Sequence, residues 1–208
     1  MAFTPNYGET PISPDNLVAL TPEILEILNK PVLKADVYDI EQEELSTVAT
    51  KYVTEILEGN LAVEDFLNAN FLRQLHEEIF GDIWNWAGKY RTQELNLGVA
   101  PEQIPMELPN SFDNLRYRWE NTNDLNAHQL GVTTHIEGVR VHPFVDGNGR
   151  TTRLHADLVF LAALDGDTPY QFDWNNLDRK RYIDLLNEYD RHRDPSDLAE
   201  LIKAIQID

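Results

Sequence analysis

"VHPFVDGNGRTTRLHADLVFLAAL", residues 141–164, joins a glycine-rich turn to a segment that is apolar on nearly every side. A helix with no polar face belongs at the centre of a packed domain. The turn that feeds it gathers His142, Asp146, Gly147-Asn148-Gly149, Arg150 and Arg153 within a dozen positions. Glycine lets the backbone take positive φ and come close to a ligand. The N–H groups of such a turn, with the first N–H groups of the helix, make an anion-binding concavity. Arg150 and Arg153, three positions apart, are expected on one helix face over that concavity, and guanidinium forks match phosphate oxygens. A carboxylate beside bound phosphate calls for a bridging cation, and Mg²⁺ uses one or two carboxylates plus phosphate oxygens, so Asp146 is the candidate metal ligand. His142 can take a proton from an attacking hydroxyl near neutral pH. Base, metal ligand and phosphate cradle suffice for nucleotidyl or phosphoryl transfer, and these residues alone do not choose between the two. Singly, each residue fits an ordinary loop-to-helix junction; such a junction does not require all of them at fixed offsets.

Outward from this stretch the periodicity is helical. The segment up to about residue 16 is rich in Pro, Asn and Gly and is expected to be an irregular arm. "LTPEILEIL" predicts a helix with Thr21 as N-cap and Pro22 at its first position. "ADVYDIEQEELSTVATKYVTEILEGN" predicts a long helix stopped by Gly59. "VEDFLNANFLRQLHEEIFGDIW" predicts one amphipathic helix burying Phe66, Phe71, Leu72, Leu75 and Ile79. Residues 90–104 lose the helical period around Gly98 and are expected to form a small hairpin or flap. Further helices are expected over about 105–121, 126–140, 178–192 and 196–205. The fold class is therefore all-α with a small β-hairpin flap, divided into an N-terminal arm with helices (1–50) and a main domain (51–208).

The chain has 208 residues and a formal charge of −19, which argues against nucleic acid or an anionic membrane as the main partner. A single bound nucleotide needs only a locally basic site. With no Cys, disulfides and thiolate metal sites are excluded. No leader-like apolar segment or membrane-length run is present, and a cytoplasmic location is the expectation.

"HPFVDGNGRTTR" matches the Fic signature His-Pro-Phe-x-Asp/Glu-Gly-Asn-Gly-Arg-x-x-Arg at every fixed position. "FLRQLHEEIFGDIWNWAGKYR" (71–91) is similar to the helix and Trp-Ala-Gly turn of Fic cores, and "NLGVAPEQI" (96–104) resembles the subgroup called mobile mystery protein B. The resemblance implies a protein adenylyltransferase that moves AMP from ATP to a Ser, Thr or Tyr hydroxyl of a target protein. By motif position His142 would deprotonate that hydroxyl and Asp146 would hold Mg²⁺. Gly147, Asn148 and Gly149 would cradle the phosphates, and Arg150 and Arg153 would neutralise their charge. Phe144 and Pro143 would be scaffold. Gly149 stands where phosphorylating Doc-like relatives replace glycine, which favours AMP transfer. The flap at 90–104 would bind the target segment through backbone hydrogen bonds.

Alternatives of other classes are removal of AMP at the same site, another Fic-type phosphotransfer, and a non-enzymatic, toxin-like interaction role. The resemblance also points to self-inhibition: "TEILEGN" (54–60) fits the Ser/Thr-x-x-x-Glu-Gly/Asn pattern, which would set Glu58 against Arg153. A separate inhibitory partner protein is the other source of such a glutamate. Asp157, four residues after Arg153, is expected to hold that arginine by an ion pair. His76 and His155 are expected to be packed, and His135 is left outside the site.

Overall fold

The computed structural model describes residues 10–164 and 169–206. Two short N-terminal helices, α1 (Pro14–Ala19) and α2 (Pro22–Ile27), each start on a hydroxyl cap followed by proline, with Ser13 accepting from Asn16 N and Thr21 from Ile24 N. Of the irregular arm expected up to about residue 16, residues 1–9 lie outside the described residues, and the chain is helical from Pro14. The long α3 (Lys34–Leu57) ends at Glu58 and Gly59, the latter at φ 74°. It runs without interruption through residues 50 and 51, so no break in the chain marks the expected domain boundary there.

The single helix expected over 63–84 is instead two, α4 (Val63–Phe66) and α5 (Ala69–Phe80). Leu67 leaves helical geometry at ψ 58°, and the Asn68 side chain accepts from Phe71 N at 2.8 Å to start the second helix. An Asn that caps the following helix competes with continuing the previous one. The five apolar residues named from the periodicity are buried on both sides of the break. Next come α6 (Ile104–Asn121), α7 (Ala127–Val141), α8 (Asn148–Ala163), α9 (Arg179–His192) and α10 (Ser196–Leu201).

The hairpin expected at 90–104 is not formed. Among the described residues, 92–98 make no backbone-to-backbone hydrogen bond, and a short 3₁₀ turn at Pro101–Gln103 leads directly into α6. The sheet lies elsewhere: β1 (Tyr170–Phe172) pairs antiparallel with β2 (Ala204–Gln206), where the last expected helix has already ended.

Helices α7 and α8 form the centre, as the apolar character of 151–164 predicts. They approach closely because α7 carries Gly138, where an added Cβ would lie 2.6 Å from Thr152 Cγ2 of α8. One side of the pair packs against α3, α5 and α6 through residues such as Phe66, Leu72, Phe80 and Phe112. The other side packs against β1, α9 and α10 through Val132, Ile136, Phe160, Phe172 and Tyr189. The glycine-rich turn is anchored in the first of these cores, through Val141 and Phe144.

Candidate active site

The α7–α8 junction is held from several directions at once. His142 caps α7 in the left-handed region, φ 50° and ψ 61°, a conformation that costs a non-glycine residue about 1 kcal/mol or more. The Asn148 side chain closes the turn, accepting from Phe144 N at 2.9 Å and donating to Phe144 O at 2.8 Å. His76 on α5 accepts from Gly88 N at its Nδ1, so its Nε2 carries the proton and donates to Asp146 O at 3.0 Å. Its ring stacks on Phe144 with centroids 3.7 Å apart. Burial pushes the His76 pKa down to about 4, which keeps this tautomer neutral. Gly147 takes φ 76°, and a Cβ there would lie 2.5 Å from Phe80 Cε2, so both backbone and space demand glycine.

The first α8 hydrogen bond runs from Thr151 N to Gly147 O at 3.0 Å. The N–H groups of Asn148, Gly149 and Arg150 therefore have no acceptor within the helix, the arrangement that makes a helix N-terminus attractive to anions. Gly149 differs from Gly147: its φ is ordinary, and an added Cβ would meet only Arg153 Nη2, at 3.7 Å. Nothing in the protein itself requires glycine at this position.

Two cavities flank the turn. The larger, about 760 Å³, is lined by His142, Gly149 and Arg153, by Trp174, and by α9 residues such as Tyr182 and Asn187. The smaller, about 410 Å³, lies between α3, the Trp84–Trp86 turn and the side chains of Asp146 and Arg150. Arg150 and Arg153 therefore do not line one concavity, as their spacing suggests. Arg150 turns instead to Glu41 of α3, with Nη1 to Oε2 at 2.5 Å, and lies 4.7 Å over the Phe80 ring. Arg153 donates through Nε to Gly149 O at 2.9 Å.

Of the residues expected at the site, the large cavity unites His142, Gly149 and Arg153. Gly147 and the Asn148 side chain shape the turn. Glu58 is exposed at the end of α3 with its carboxylate on Asn60 Nδ2, and it makes no pair with Arg153. Asp157 does not pair with Arg153 either: it accepts from Phe172 N at 2.8 Å and Trp174 Nε1 at 2.9 Å. Burial raises its pKa to about 7. His135, set aside from the sequence, does line the large cavity, where it shares a 2.6 Å hydrogen bond with Tyr182 Oη. Glu41, Arg91, Trp174 and Tyr182 were not found from sequence, because each acts from a helix or loop remote in the chain.

Desolvation, and after it the Arg91 guanidinium, hold the His142 pKa below the usual imidazole value, and Asp146 opposes them weakly. A neutral imidazole is the form that accepts a proton. Among the described residues no cluster of three or more His, Asp or Glu forms a metal site. Asp146 offers one carboxylate, with Oδ1 bonded to Gly147 N at 2.6 Å. A lone carboxylate fits a cation carried mainly by phosphate oxygens and does not fit a protein-caged metal.

Known proteins resemble the chain over this region. Residues 66–160 match the model of the Fic/DOC family. The chain is 32% identical over 121 residues to "Probable protein adenylyltransferase y4lH" of Sinorhizobium fredii, covering 55% of this chain and 60% of that protein. It is 27% identical over 139 residues to "Protein adenylyltransferase VbhT" of Bartonella schoenbuchensis, covering 64% and 28%. The chain thus spans less than two thirds of the length of these curated relatives. In fold it is similar to the N-terminal Fic domain of a Bartonella quintana effector, with TM-score 0.60, 20% identity and coverage of 85% and 86%. The same domain with bound ADP gives TM-score 0.58 at 19% identity, covering 82% and 86%.

Proposed function

We propose that this chain is an ATP-dependent protein adenylyltransferase acting in the cavity shared by His142, Gly149 and Arg153. The observation that carries the reading is Gly149. A glycine with ordinary φ and free space around its Cβ position is needed only if something outside the protein comes close. What comes close there meets the open N–H groups of α8 and the Arg153 guanidinium, a pairing suited to phosphate. His142 borders the same space and has a lowered pKa.

In this reading the α-phosphate lies over the start of α8. His142 accepts the proton of the target Ser, Thr or Tyr hydroxyl, and the freed oxygen attacks the α-phosphorus. The bond to the β-phosphate oxygen breaks, and pyrophosphate leaves. Tyr182, Asn187 and Trp174 take the nucleoside end of the cavity. Asp146 borders the smaller cavity on the other side of the turn, and it would hold Mg²⁺ where the phosphates reach past Gly149 towards its carboxylate; the ion would neutralise their charge. The target segment lies along 92–98, which has no backbone-to-backbone pairing and carries the exposed Leu95 and Leu97.

The test is incubation of the protein with α-labelled and, separately, γ-labelled ATP plus Mg²⁺ and a cell lysate. Label entering protein from the α-position alone supports adenylyl transfer. Entry from the γ-position would replace it with phosphorylation, and no transfer from either would overturn it.

A further inference from the structure

Arg91 is a buried guanidinium, 3% exposed, and among the described residues no carboxylate pairs with it. Buried charges ordinarily have a counter-charge, because desolvation is costly. Arg91 has three carbonyls instead. Its Nε donates to His142 O at 2.7 Å, its Nη1 to Gln93 O at 3.0 Å, and its Nη2 to Val99 O. Its own N–H donates to Pro143 O at 2.9 Å, and Val99 N donates to Val141 O at 3.3 Å.

These bonds connect two things the fold does not otherwise join. One is the left-handed His142, where the α7 backbone must leave its helix. The other is the 92–98 loop, which lacks backbone pairing of its own. The loop comes so near that a Cβ on Gly98 would lie 2.6 Å from His142 Cβ. A planar fork with donors fixed in several directions can hold three carbonyls at once, whereas an ammonium is a point donor on a flexible stem.

We propose that Arg91 is a positioning residue: it fixes the backbone of His142 and the height of the 92–98 loop above it as one unit. The inference rests on the reading of His142 as the base and of the loop as the target-binding edge. Through this unit a target segment seated on the loop arrives in register with the imidazole.

The test compares wild type, Arg91→Lys and Arg91→Met, each labelled with ¹⁵N-histidine. Ring resonances of His142 report the base, and those of buried His76 and His155 report the core. Amide exchange at Val99 reports the loop. Both variants are expected to shift the His142 signals and to raise Val99 amide exchange by about tenfold, because losing the Arg91 bond to Val99 O loosens the loop whose Val99 N pairs with Val141 O, with His76 and His155 unmoved. In the α-labelled ATP assay, kcat falls while the nucleotide KM is kept. Unchanged His142 signals and Val99 exchange in folded Arg91→Lys would overturn the proposal. So would collapse of the His76 and His155 signals in both variants, since that assigns Arg91 to the core. If wild type transfers no adenylyl group, the enzymatic reading fails while the resonance and exchange results still decide the role of Arg91.

Discussion

Glu41 and Arg150, 109 positions apart, form a near-buried ion pair, with Nη1 to Oε2 at 2.5 Å, and Glu41 Oε1 also accepts from Trp84 Nε1 at 2.7 Å. The first motif arginine is thereby tied to the N-terminal helix α3, while the second, Arg153, stays in the larger cavity. One consequence is that α3 belongs to the folding unit of the site. Another is that the two arginines border different cavities.

Glu41→Ala leaves Arg150 and the Trp84 N–H without their acceptor, so it is expected to destabilise the protein by about 3 kcal/mol. Glu58→Ala, at an exposed position, is expected to change stability by no more than about 0.5 kcal/mol. Urea unfolding of the two variants measures the contrast. Equal effects would remove Glu41 from this role.

The two motif glycines are expected to fail in different ways. Gly147→Ala forces a Cβ to 2.5 Å from Phe80 Cε2 at φ 76° and should cost about 2 kcal/mol or more of stability. Gly149→Ala should unfold like wild type yet bind ATP at least about tenfold more weakly, because its methyl enters the space assigned to phosphate. Thermal unfolding and calorimetric titration with ATP separate the two. Normal ATP binding by Gly149→Ala would count against the phosphate site.

In the proposed reaction proton abstraction requires neutral His142, and desolvation together with Arg91 lowers its pKa. The acid limb of kcat/KM should therefore lie below about pH 6.5, the ordinary imidazole value. Arg91→Met removes one depressing cause and should move that limb upward. A limb above the ordinary value in wild type would contradict this environment.

His76, His135 and His155 are buried, with pKa values lowered to about 4, about 3 and about 4. The unfolded chain then binds more protons below pH 6.5, so stability should fall as pH drops from about 6.5 towards 4. Each histidine contributes on the order of 1–3 kcal/mol to that loss. Asp157, raised to about 7, works in the opposite sense across the same range, but it is one group against three. Urea midpoints measured from pH 7.5 to 4.5 check the direction, and a flat profile would contradict the burial of these rings.

The local features of the site were legible in residues 142–153 because they depend on neighbours in sequence. The anion-attracting start of α8, the need for glycine at Gly147 and the placing of His142 at the end of α7 all follow from the turn and the helix it opens. The central place of α8 followed from its apolar surface. The break at Leu67 was less legible, since the helical period of 63–84 continues across it and only the Asn68 cap interrupts the backbone.

By itself the sequence determined the all-helical class, the motif and the residues able to carry base and phosphate chemistry. Only the tertiary structure decided which of them face the same space. Glu41, 109 positions away, draws Arg150 out of the cavity it was expected to share with Arg153. Where a hairpin was expected, Arg91 ties the loop to His142 O through the carbonyls of Gln93 and Val99, and Asp157 supports Trp174 and β1 instead of an arginine. Each of these depends on side chains reaching across helices, and spacing along one chain carries no information about that distance.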